Sequence, residues 1–193
     1  MRLRGELHHL TATGMVQAGV ERNFFELFGL PVSFDVDTAD LAVRYRELQR
    51  QFHPDRYANA TGPERRLSLE ITAQINQGFQ TLREPLSRGR YLLALRGVDT
   101  DEHTDTRMDP EFLVEQMELR ESLDEVRHSA QGGERLEQLA SRIDSLLRTR
   151  TEALGRKLSG GDVDELQHAR QLVREMQFLK KTASEIEELQ EAE

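Results

Sequence analysis

Leu41, Tyr45, Leu48 and Phe52 follow one another at spacings of four, three and four residues, the rhythm that gathers side chains on one stripe of an α-helix. At 100° per residue from Leu41 the stripe occupies roughly 340° to 40°, while Arg46 and Arg50 fall at about 140° and 180°. The pattern predicts a helix with one apolar face and two cations opposite it. Pro54 biases His53 away from helical dihedrals and has no backbone N–H to donate, so the helix is predicted to stop near Phe52. A short exposed loop, His53-Pro54-Asp55, then separates it from a second helix running from Pro63 to about Leu82.

Further along, three longer periodic stretches follow. Asp109-Pro110-Glu111 combines an N-capping carboxylate with proline at the first helical position, opening a helix to about Ser129. Gly132-Gly133 is read as its break. A helix from about Glu134 to Leu158 carries Leu136, Leu139, Ile143, Leu146, Leu147 and Leu154, and another spans about Val163 to Glu188 after the Ser159-Gly160-Gly161-Asp162 turn. Short connections between three antiparallel helices predict a bundle. No stretch alternates as a half-buried strand does, so the fold class is all-α.

The first bundle helix has two apolar sectors. With Leu113 at 0°, Phe112, Leu119, Leu123 and Val126 fall at roughly 220° to 280° and form the predicted core face. Leu113, Met117 and Val114 lie instead at about 0°, 40° and 100°, beside Glu121, Glu125 and Glu118 at about 80°, 120° and 140°. A plain core helix has no need of an apolar patch edged by carboxylates off its buried stripe. In the third bundle helix Leu172, Met176, Leu179 and Ala183 share a stripe, and Phe178 points away from it, either to solvent or to another contact.

Composition narrows the chemistry. The 193 residues contain no cysteine, which excludes disulfides, thiol catalysis and cysteine-held zinc or clusters. His8, His9, His103, His128 and His168 share no ligand-like spacing, so no metal site and no cofactor is expected. Residues 1–108 hold 14 Lys+Arg against 15 Asp+Glu, a net of −1; residues 109–193 hold 12 against 20, a net of −8, and the two make the total of −9. Neither part is basic, which argues against a nucleic-acid partner held through phosphates. No apolar run is long enough to span a membrane. Residues 1–22 lack the apolar core of a signal peptide and are read as a poorly ordered extension, with Met15 as a possible alternative start. The polar stretch 98–108 reads as a linker between a domain at 23–97 and the bundle at 109–193. No phosphate-cradling glycine loop is present, and the His53-Asp55 pair lies at a helix end without a pocket, so no catalytic residue is assigned.

A basic amphipathic helix, His53-Pro54-Asp55 and a following helix together resemble the J domain of co-chaperones. Asn23 to Pro31 is similar to the opening helix with its Gly-Leu-Pro exit, and Ile75 to Leu82 to the end of the third helix. The run Arg83 to Leu93, with Phe112 to Val126, resembles specifically the HscB-type co-chaperones of iron–sulfur cluster assembly. The resemblance implies two partners. Arg46, Arg50, His53, Pro54, Asp55 and Arg56 are expected to meet an HscA/DnaK-type ATPase chaperone and stimulate its ATP hydrolysis. Leu113, Val114, Met117, Glu118, Glu121 and Glu125, with Phe178 from the facing helix, are expected to hold an IscU-type scaffold protein. Val114 is shorter than the Met that some relatives carry. Arg88, Tyr91, Leu92 and Leu95 are expected to pack the J domain against the bundle. Animal mitochondrial relatives carry a cysteine-rich zinc segment that this chain lacks, which points to a bacterial, cytoplasmic form. Two rival readings use the same residues: a general J-domain co-chaperone serving unfolded clients, and a purely structural helical adaptor.

Overall fold

The computed structural model describes residues 23–58, 60–100, 109–127 and 132–191. The expected N-terminal extension, most of the expected linker, and His8, His9, His103 and His128 lie outside the described residues. Every regular element described is helical: α1 (Phe24–Leu27), α2 (Thr38–Phe52), a 3₁₀ turn (Pro54–Tyr57), α3 (Gly62–Arg83), α4 (Pro85–Leu95), α5 (Pro110–Arg127), α6 (Gly132–Ser159) and α7 (Val163–Glu191). The chain forms two compact units whose boundary falls between Ser87 and Arg88, inside α4.

In the first unit, α2 and α3 make an antiparallel hairpin with α1 against α3. Asp37 starts α2 by accepting the N–H groups of Ala39 and Asp40, so the helix begins one turn before the Leu41 stripe. Leu41, Leu48 and Phe52 are buried with Phe25, Phe28, Ile71, Ile75 and Leu82. Tyr45, the fourth member of the stripe, is half-buried because its polar tip has work elsewhere. Its ring stacks on Phe79 at 4.2 Å and its hydroxyl donates to Asn76 Oδ1 at 3.0 Å. The exit from α1 turns at Gly29 with φ +63°, and Arg44 donates to the carbonyls of Phe28 and Gly29 at 2.9 and 3.0 Å. Thr61 donates both its backbone N–H and its hydroxyl to Glu64 Oε2 at the start of α3, and these bonds hold the Glu64 carboxyl below its ordinary range.

Gly78 shows how closely α1 approaches α3. A Cβ placed there would lie 3.0 Å from Phe24 Cδ1 and 3.0 Å from Phe28 Cε2. Gly78→Val is expected to destabilise this unit by about 1–3 kcal/mol through overpacking against the two rings, read as a lowered urea midpoint with unchanged slope.

The second unit is built on α5, α6 and α7. Leu119, Leu123 and Val126 from α5, Leu136, Leu139 and Ile143 from α6, and Leu179 and Ile186 from α7 form one buried cluster. Asp162 caps α7 by accepting the Glu165 N–H at 2.8 Å. The glycine pair read as a break proves to be the start of α6, which begins at Gly132. The buried face of α7 is wider than the expected stripe. Its buried line runs through Ala169, Val173, Met176, Leu179 and Ile186, whereas Leu172 and Ala183 are only half-buried. In α4, Arg88 and Leu92 are buried, Tyr91 is half-buried and Leu95 is 43% exposed. Arg96, just past α4, donates to the Leu158 carbonyl at 2.8 Å and satisfies an otherwise orphaned C-terminal acceptor of α6.

Candidate functional site

Two surfaces carry the residues singled out from the sequence. On the first unit, Arg46 and Arg50 are exposed on α2, opposite its buried stripe. Val43, at about 200° on the same wheel, stands beside them and is 43% exposed. Its place on the exposed face follows from the spacing alone. At the C-terminus of α2, His53 leaves the helical region with φ −55° and ψ 131°, as the following proline requires. His53 Nδ1 accepts the Asp55 N–H at 3.3 Å, and the His53 carbonyl accepts the Arg56 N–H at 3.0 Å. With Nδ1 occupied as an acceptor, the neutral ring carries its proton on Nε2. Asp55 Oδ2 lies 3.5 Å from the same Nδ1. Arg56 turns back on the helix, its Nη1 donating to the Arg50 carbonyl at 3.1 Å. Arg56 thereby closes the loop as well as lending it charge.

On α5 of the second unit, Leu113, Val114 and Met117 are 44%, 56% and 72% exposed, while Phe112, Leu119, Leu123 and Val126 are buried. The two apolar sectors read from the helical wheel are therefore distinct faces, one inside and one outside. Glu118, Glu121 and Glu125 are exposed along the patch. Glu118 accepts from Arg142 of α6 at 3.0 Å, which spends part of its charge within the chain. Phe178 is half-buried and meets Phe112 edge to face, with centroids 5.8 Å apart and planes at 90°. Its off-stripe position is explained by this aromatic partner.

Residues 108–187 match the family model described as the HSCB C-terminal oligomerisation domain. A co-chaperone protein HscB homolog from Shewanella sp. (strain ANA-3) is 42% identical over 170 residues, which cover 88% of this chain and 98% of that relative. The chain belongs to the HscB co-chaperone family. Another HscB homolog, from Shewanella halifaxensis, is 44% identical over 171 residues. Among solved structures, the chaperone HscB from Vibrio cholerae aligns with TM-score 0.77 and 36% identity over 89% of this chain and 99% of its own. Human co-chaperone protein HscB aligns with TM-score 0.80 and 30% identity over 88% of this chain and 83% of its own. The architecture is thus the HscB one, a J domain followed by a C-terminal helical bundle.

The HscB bundle here contains a polar cluster that periodicity did not reveal. Arg150 of α6 donates to Glu115 of α5 at 2.9 Å and to Glu175 of α7 at 2.6 Å, and Gln171 donates to the other Glu175 oxygen at 3.1 Å. Glu175 is buried, and the Arg150 guanidinium is the partner that a carboxylate needs when it is taken out of water. The signal was a carboxylate set between Leu172 and Leu179 on an otherwise apolar stripe. This triad lines a cavity of about 340 Å³ together with Phe112, Ala153 and Leu172. Among the described residues no group of three or more carboxylate or imidazole side chains is placed to hold a metal ion. Among them, too, no helix is long and apolar enough to cross a membrane.

Proposed function

We propose that this chain is a co-chaperone of iron–sulfur cluster assembly that binds an IscU-type scaffold protein through its bundle and brings it to an HscA/DnaK-type chaperone. In this reading Arg46, Arg50, His53, Pro54, Asp55 and Arg56 dock on the chaperone and trigger its ATP hydrolysis. Leu113, Val114, Met117, Glu118, Glu121 and Glu125 receive the scaffold, with Phe178 supporting the patch from beneath through Phe112. The observation that carries the reading is the exposed Leu113-Val114-Met117 patch on α5, in a bundle whose core is already complete without it.

The energetics suit transient use. Burying three such side chains yields about 1.5–3 kcal/mol each, and ordering costs leave enough for micromolar binding. The carboxylate rim contributes orientation and association rate more than affinity, and it favours a scaffold surface with cations around an apolar centre. The exposed Arg46 and Arg50 steer encounter with an acidic chaperone face in a salt-sensitive way. This chain supplies binding energy and geometry, and the chaperone supplies the ATP site.

The test is a single-turnover ATPase assay of an HscA-type chaperone with this protein, with and without an IscU-type scaffold. The expected result is stimulation by the chain alone, greater stimulation when scaffold is added, and a direct chain–scaffold complex in calorimetry. Absence of stimulation, or of the complex, overturns the proposal. Comparable binding of many unrelated unfolded peptides would transfer the chain to general co-chaperone service.

A further inference from the structure

Hydroxyls inside helices ordinarily bond back to the carbonyl four residues earlier on the same helix. Ser122, Thr149, Ser159 and Thr182 all do so here, donating to Glu118, Ser145, Gly155 and Phe178. Ser68 and Thr72 of α3 do not. Ser68 Oγ donates to the Phe52 carbonyl at 2.9 Å, and Thr72 Oγ1 donates to the same oxygen at 3.1 Å. Four residues apart, the two hydroxyls share one face of α3 and converge on one acceptor of α2.

The identity of that acceptor gives the contact its consequence. The Phe52 carbonyl ends α2, where carbonyls lack intrahelical partners, and Pro54 has no N–H to offer as a C-terminal cap. It also belongs to the planar peptide unit that contains the His53 nitrogen and Cα. A carbonyl oxygen has two lone pairs, and with a donor on each the plane that enters His53 is fixed. The plane that leaves it is held by the Arg56 N–H on the His53 carbonyl. Ser68 is buried, so its bond is made out of water, where an unmet acceptor is costly.

We propose that Ser68 and Thr72 are positioning residues: their paired hydroxyls clamp the Phe52–His53 peptide and thereby set the direction in which the His53-Pro54-Asp55 loop presents itself to the ATPase chaperone. The inference rests on the chaperone-docking role given above for this loop. Neither hydroxyl touches the partner. They act by keeping the loop in one conformation before contact, so that docking energy is not consumed in ordering it.

The experiment compares Thr72→Val, which keeps the side-chain shape and removes the hydroxyl, with Thr72→Ser, which keeps the hydroxyl, and with the double variant Ser68→Ala/Thr72→Val. In the free full-length protein, amide signals of Asp55 and Arg56 and the His53 ring signals are expected to shift and broaden in Thr72→Val and further in the double variant. Thr72→Ser is expected to match wild type. In the ATPase assay the double variant is expected to lose about tenfold in maximal stimulation, the cost of a misaligned contact, with scaffold binding unchanged. A purely structural contact would lower the melting temperature without separating Val from Ser in the loop signals or in maximal stimulation. The proposal is overturned if Thr72→Val and the double variant retain wild-type loop signals, or if Thr72→Ser falls as far as Thr72→Val. Should the double variant not fold, the isosteric Thr72→Val and Thr72→Ser pair decides alone. Should wild-type protein fail to stimulate any ATPase, the docking role falls, and the loop signals still decide whether the clamp exists.

Discussion

His53→Gln is expected to return ATP hydrolysis by the partner chaperone to its basal rate while leaving scaffold affinity unchanged. Three features make this substitution discriminating. His53 is exposed, so the change is worth within about 0.5 kcal/mol of stability. The single bond its ring accepts in the described loop, from the Asp55 N–H, is one that the glutamine carbonyl oxygen can also accept. The loop conformation therefore survives, and only the imidazole is lost. What the imidazole offers in addition is a flat apolar face and a donor at Nε2, both open to a partner. Single-turnover hydrolysis measured over a range of co-chaperone concentrations separates a lost trigger from a weakened encounter. Stimulation at the wild-type level would show that this loop is not the chaperone contact.

The same loop shows how far a sequence of this kind can be read. Pro54 announces the end of α2, and the Leu41, Leu48 and Phe52 spacing announces which side of it is buried, because both are local properties of the chain. Periodicity likewise separates the two sectors of α5, and exposure follows that separation residue by residue. Neither signal says what a face will meet. The Ser68 and Thr72 hydroxyls reach Phe52 across a turn, and Arg150 joins carboxylates from two other helices, so those bonds exist only once the helices have packed. Phe178 is intermediate: its departure from the α7 stripe is visible in sequence, but Phe112 as its partner is not. Leu172 illustrates the same limit: the wheel places it on the inner face of α7, but it borders the cavity lined by Phe112, Arg150 and Glu175 and is therefore only half-buried.

That geometry also selects the variant with which to probe the bundle. Phe178→Ala is a poor choice, because removing a ring packed on Phe112 and on the core cluster confounds recognition with stability. Leu113→Ser with Met117→Ser changes side chains that are 44% and 72% exposed and leaves the buried face of α5 intact. The pair is expected to weaken scaffold binding at least tenfold, about 1.4 kcal/mol, with no fall in melting temperature. Glu121→Lys with Glu125→Lys provides the complementary case, in which the apolar contact remains and the charge of the rim is inverted. Its expected signature is a slower association rate that depends less on salt, with a smaller change in dissociation rate. Calorimetry gives the affinity, and stopped-flow binding at two ionic strengths gives the association rate, its salt dependence and the dissociation rate. Unchanged affinity in the serine pair would mean that the patch on α5 does not receive the scaffold, because no compensating apolar contact remains at Leu113 and Met117 to mask its loss.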